Sequence, residues 1–226
     1  MCGRFTLTVD PGQLQDTFHW LDIQGDFIPR YNVAPGQPVA VVPNDGNRRL
    51  DFYIWGLIPS WAKDPKIGSR MINARAETLA EKPAFRGPFR YKRCLIFADG
   101  FYEWRQDQNS KSKVPMYIHM KSKRPFAFAG LWDLWLSPDG SEVKSCAIIT
   151  TEPNALVAQI HNRMPAILQP DAYEVWLDPQ MKDTSLLSRL LSPFPADDMV
   201  AFPVSRAVND PKNDSLECIL PVTQVS

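Results

Sequence analysis

The sequence predicts an α+β fold: a single domain over residues 1–226, built on a curved, largely antiparallel, barrel-like sheet with short flanking helices. Three observations lead there. Strand-like runs outnumber helix-like ones. Their connections are short and show no regular strand–helix–strand alternation, which argues against a doubly wound parallel sheet. No internal repeat or low-complexity linker divides the 226 residues, a length that suits one large domain. A hydrophobic fraction of 44% supplies a core, and 21 prolines favour long ordered loops.

The elements follow in order. Residues 4–9 alternate and read as a strand. Asp10 as N-cap and Pro11 at the first helical position start a short helix to about Trp20. Residues 30–36 read as a polar, proline-fixed loop. Residues 38–42 and 50–57 are expected to pair as strands around the turn Asn44-Asp45-Gly46-Asn47. Residues 55–61 break into a loop with two tryptophans. A short helix is expected to run from about Ala74 to Lys82. Residues 93–98 form a buried strand, and Phe101-Tyr102-Glu103-Trp104 begins the next. Residues 115–120, 126–132 and 143–150 are further strands. Residues 152–160, 171–177 and 184–191 read as helices, and 201–204 and 217–220 as late strands.

Composition narrows the function. The formal net charge of +0 excludes a generic polycation, so a nucleic-acid surface must be a local patch. No basic region followed by an apolar run marks a signal peptide, and no stretch is long and apolar enough to span a membrane. The four cysteines are dispersed without a CxxC pair to suggest zinc, and the absence of a secretion signal argues against a disulfide framework. Cys94 and Cys146 lie in apolar runs and read as inert core thiols.

Cys2 differs, because it directly follows Met1 and is small enough to allow methionine removal. It would then carry an α-amine of pKa ~7.7–8.0 and a thiol of pKa ~8.5 on adjacent carbons. The amine condenses with an aldehyde to an imine, and the thiol closes on that imine to a five-membered thiazolidine. By itself the stretch also fits a cysteine at a frayed end.

Other residues add chemistry. Glu103, between aromatic residues at a strand edge, suits general acid–base work if desolvated, and is otherwise an outward-facing glutamate. His161 lies in the loop His161-Asn162-Arg163-Met164-Pro165, as a proton donor or a capping residue. His19 and His119 are assigned to structure. Asn73 and Arg75 share one face if extended and suit an anion or sugar phosphate; alternatively Asn73 caps a helix. From 63 to 93, nine basic residues outnumber three acidic ones, with Trp61, Phe85, Phe89 and Tyr91 interleaved. That pattern fits a single-strand nucleic-acid track or an ordinary solvated surface.

Together the motifs Met1-Cys2-Gly3-Arg4-Phe5, Ile72-Asn73-Ala74-Arg75-Ala76-Glu77, Phe101-Tyr102-Glu103-Trp104 and His161-Asn162-Arg163-Met164-Pro165 resemble, in order, those of the SOS response-associated peptidase (SRAP) family. Trp55-Gly56-Leu57-Ile58-Pro59 and Pro203-Val204-Ser205-Arg206-Ala207-Val208-Asn209 extend the resemblance over almost the whole chain. The resemblance implies covalent capture of abasic sites in single-stranded DNA, with lyase-like behaviour, crosslink reversal and self-removal of Met1. It makes Cys2 the nucleophile, Asn73 the holder of the Cys2 end, Glu103 the acid–base group and His161 the donor to the sugar oxygen. Arg4 and Arg75 are implied as DNA phosphate clamps, Arg163 as a further DNA-binding residue, and Pro35 and Trp61 as contacts to flanking bases. No cofactor, metal or membrane is implied, and the protein is expected to be a cytoplasmic monomer, at the nucleoid in a bacterial host. Two other readings use the same residues. An N-terminal-nucleophile amidohydrolase or peptidase would use the Cys2 amine as base for its own thiol. A non-catalytic single-strand-binding module would use residues 63–93 alone.

Overall fold

Strands do carry most of the architecture. The structure is a computed structural model, and it describes residues 2–107 and 112–222. The strands are β1 (Phe5–Leu7), β2 (Arg30–Val33), β3 (Pro38–Pro43), β4 (Asp51–Trp55), β5 (Asn73–Arg75), β6 (Arg93–Ala98), β7 (Gly100–Gln106), β8 (Lys113–Met120), β9 (Phe126–Leu136), β10 (Glu142–Thr151), β11 (Met164–Pro165) and β12 (Met199–Pro203). The α-helices are short: α1 (Pro11–Thr17), α2 (Pro83–Tyr91), α3 (Tyr173–Leu177) and α4 (Thr184–Arg189).

Five strands close a barrel in the order β10-β4-β3-β6-β9, with β9 returning to β10. All its pairings are antiparallel except β10 with β4. A second antiparallel sheet runs β12-β8-β7-β1-β2. The period-2 alternation of strands explains the continuous apolar runs. In β6, Leu95 and Phe97 pack into one core with Leu14 of α1 and Trp176 of α3. Cys94 and Ile96 pack into another with Phe5, Phe101 and Ile118 of the second sheet. Both faces are buried, so both sets must be apolar.

Several expectations are corrected. Residues 30–36 are partly strand, because β2 pairs with β1. No helix spans 74–82: Asn73–Arg75 is β5, parallel to β10, and only one 3-10 turn, Ala76–Thr78, follows. The real helix, α2, starts at Pro83 and tolerates Pro88 inside it. The expected helix at 152–160 is a 3-10 turn, Val157–Gln159, and the expected strand at 217–220 is the 3-10 turn Leu216–Ile219. The strand begun at 50 stops at Trp55, because Gly56 takes φ +138. A Cβ there would lie 2.8 Å from the Gly68 carbonyl oxygen, so the close backbone approach requires glycine.

Candidate functional site around Cys2

Cys2 is not frayed. β1 sits between β7 and β2, which draws the residues before it into the core, and Cys2 is fully buried among Phe5, Trp55 and their neighbours. The Cys2 carbonyl accepts a 2.7 Å bond from Asn73 Nδ2. Parallel pairing of β5 with β10 sets Asn73 opposite Ile148. Asn73 Oδ1 is buried without a hydrogen-bond partner among the described residues. Burial, then the nearby charge of Glu103, pushes the Cys2 thiol well above its ordinary pKa. Cys2 therefore rests as a thiol and needs a base to react.

Glu103 is the candidate base beside it. It is 2% exposed, lies on β7 opposite Met116, and has its pKa pushed up to about 7, chiefly by burial. The strand is not an edge: β1 and β8 flank it. His161 follows the turn Val157–Gln159, its backbone N–H bonded to the Val157 carbonyl at 2.8 Å. At His161 Nδ1 lie both the backbone N–H of Arg163, at 3.1 Å, and its carbonyl oxygen, at 3.2 Å, so the position of the ring proton follows the tautomer. Burial, then the positive charge of the chain N-terminus, lowers the His161 pKa. That shift favours the neutral ring.

The arginines divide. Arg4 donates to Asn32 Oδ1 at 2.8 Å and to the Val208 carbonyl at 2.6 Å, and lies against Trp104. Arg163 holds Glu77 through two bonds and the Thr150 carbonyl through a third. Arg75, at the end of β5, is exposed. Pro35 and Trp61 line one groove of about 790 Å³, together with Trp55, Ile58, Lys66 and Arg70. Trp61 is 59% exposed, on a loop pinned by Ser60 N–H to Asp133 at 2.8 Å and by Trp135 Nε1 to the Ala62 carbonyl at 2.7 Å. Trp55 joins groove to site: its ring meets Phe5 and its Nε1 donates to the Ile72 carbonyl.

The comparisons decide the family. The model of the SOS response associated peptidase (SRAP) family matches residues 1–211. The chain belongs to this family. It is 51% identical to abasic site processing protein YoqW of Bacillus subtilis, over 97% of this chain and 99% of that one. It is 32% identical to abasic site processing protein HMCES of Gallus gallus, over 98% of this chain and 78% of the relative. A solved structure of a Bacteroides thetaiotaomicron protein superposes with a TM-score of 0.83 at 30% identity, covering 93% of this chain and 97% of that one.

The other SRAP motifs acquire physical roles here. The motif at 203–209 supplies the Val208 carbonyl to Arg4 and Asn209 Oδ1 to Trp104 Nε1, bracing the N-terminal strand. Asn32, read as part of a loop, is fully buried and also donates to the carbonyls of Val208, Asp210 and Asn213. Its signal was a lone amide beside apolar residues. The basic run does not act as one track. Lys66 and Arg70 face the groove, whereas Lys92 pairs with Asp133 and Phe89 is core. Arg93 is fully buried and donates to the carbonyls of Phe89, Arg90, Trp176 and Asp178 near the ends of α2 and α3. Among the described residues no group of three or more His, Cys, Asp or Glu could hold a metal ion, and no helix is long and apolar enough to cross a membrane.

Proposed function

We propose that this SRAP chain processes abasic sites in single-stranded DNA by capturing them as a thiazolidine on Cys2. Curated relatives carry the name abasic site processing protein. The observation that carries the chemistry is the Asn73–Cys2 bond beside a buried carboxyl with a pKa of about 7.

The steps use groups already in place. The abasic sugar rests as a closed hemiacetal. Glu103 takes the proton of the C1′ hydroxyl while His161 Nε2 gives one to the ring oxygen, the C1′–O4′ bond breaks, and the aldehyde forms. A positioned acid or base accelerates such a step by ~10²–10⁴-fold. With Met1 removed, the α-amine of Cys2 adds to the aldehyde, and loss of one water gives the imine. The Cys2 thiol then adds to the imine carbon, its proton passing through Glu103 to the ring nitrogen. Sugar and protein end joined, with one water lost overall. Holding amine, thiol and aldehyde together supplies the proximity. Closure removes the imine that would drive β-elimination, so the strand is protected; an imine that escapes closure gives lyase behaviour. Trp61 and Pro35 suit stacking of flanking bases, and Lys66, Arg70 and Arg75 suit phosphates. On this reading the protein acts as a monomer in the cytoplasm, without cofactor or metal.

Intact mass spectrometry tests this. A uracil-containing single strand, treated with uracil glycosylase, is incubated with the protein. The expected product has the summed mass less one water, is stable without reductant, and maps to Cys2. Modification of Cys2 by an amide substrate, with no DNA adduct, would overturn the reading in favour of the amidohydrolase.

A further inference from the structure

Glu77 lies four residues after Asn73, just beyond β5, at the start of the 3-10 turn Ala76–Thr78. Its carboxylate accepts two bonds from the Arg163 guanidinium, at 2.6 and 3.0 Å. The Arg163 side chain is only 13% exposed and gives a third bond to the Thr150 carbonyl, at 2.6 Å. Three bonds on a planar fork fix its orientation. That fixes a backbone that matters, because both polar groups of Arg163 approach His161 Nδ1. The N–H lies at 3.1 Å and the carbonyl oxygen at 3.2 Å.

These two neighbours ask for opposite tautomers. An N–H pointed at Nδ1 makes it an acceptor and leaves the proton on Nε2. A carbonyl pointed at Nδ1 makes it a donor and strips Nε2 of its proton. A small rotation about Arg163 thus decides whether His161 can donate from Nε2. We propose that Glu77 is a positioning residue for His161: through Arg163 it holds the turn that keeps the His161 proton on Nε2. The inference rests on the acid role given to His161 above. It also gives the glutamate of the Asn73–Glu77 motif a task. Arg75 adds its charge beside Glu77 but stays exposed and does not reach the turn.

The test compares wild type, Glu77→Gln, His161→Ala and the double variant. Glu77 is half-exposed, so Glu77→Gln should fold. Nitrogen-15 spectra of the imidazole in the free protein read the tautomer without DNA. Wild type should show one Nε2–H form, and Glu77→Gln a mixture. Adduct release from an abasic oligonucleotide should slow on the order of tenfold in Glu77→Gln, less than the ~10²–10⁴-fold that loss of the proton donor itself would cost. In the His161→Ala background Glu77→Gln should add nothing. An unchanged tautomer, or the same slowing with and without His161, would overturn the proposal. If wild type forms no adduct, abasic capture fails while the spectra still decide the positioning role.

Discussion

Replacing Glu103 with glutamine should stabilise the protein while disabling it. The buried carboxyl has its pKa raised from 4.5 to about 7, chiefly by burial. That rise corresponds to about 3 kcal/mol. The sign is fixed by proton counting. Between pH 4.5 and 7 the folded state keeps a proton that the unfolded chain has released, so stability falls as pH rises through this window. Above pH 7 the wild-type fold carries the full cost of a buried carboxylate. Glutamine keeps the shape and carries no charge, so Glu103→Gln should gain about 3 kcal/mol at pH 8 and nothing below pH 4.5. For a chain of this size the gain corresponds to a Tm increase of roughly 6–12 °C. Urea unfolding of both proteins at pH 4, 6 and 8 measures it. The same variant should form crosslink slowly and lose the rise in rate towards pH 7 that wild type owes to the ionised carboxylate. A Glu103→Gln protein no more stable than wild type at pH 8 would refute the claim that Glu103 is held as a strained, functional acid.

Inserting one alanine between Met1 and Cys2 turns the Cys2 nitrogen into an amide, so the stable adduct should vanish while a borohydride-trappable imine persists; a reductant-free adduct lacking one water would contradict the ring chemistry. Trp61→Ala should weaken single-strand binding by ~1–3 kcal/mol, the worth of one stacked base, as read by fluorescence anisotropy, without altering stability. Arg93→Met should leave DNA affinity unchanged but lower stability by about 3 kcal/mol, because buried carbonyls at two helix ends lose their donor; a lowered affinity in a stably folded variant would return Arg93 to the DNA surface.

What the sequence made legible follows from range. The barrel strands β6, β9 and β10 announce themselves because both faces are buried, leaving continuous apolar runs. Local chemistry likewise marks α1, where Asp10 accepts from Gln13 N–H in a capping box. The missed elements depend on distant partners. β5 is strand only because β10 offers its edge, which overrides the helical preference of the Ala-rich stretch after it. α2 hides behind Pro83, Gly87 and Pro88, which read as breakers, although Pro83 at the helix start is favourable. At the site, residue types pointed to Cys2, Asn73, Glu103 and His161. Spacing gave no sign that Arg4 would turn inward to Asn32 and Val208, nor that Arg163 would be engaged by Glu77, because those partners lie far along the chain.

The Arg4–Val208 bond spans 204 residues. On a ribosome the strand behind Cys2 and its Asn32 acceptor are made early, whereas the Val208 carbonyl that completes the brace of Arg4 is made 204 residues after it. Loop closure over such a span is slow relative to local folding. On the proposed mechanism a nascent chain thus carries Cys2 without the assembled groups, Glu103 and His161, that would act on it. A chain that stops short of Val208 lacks that acceptor, so on the proposed mechanism interrupted synthesis yields fragments with Cys2 but without its full support.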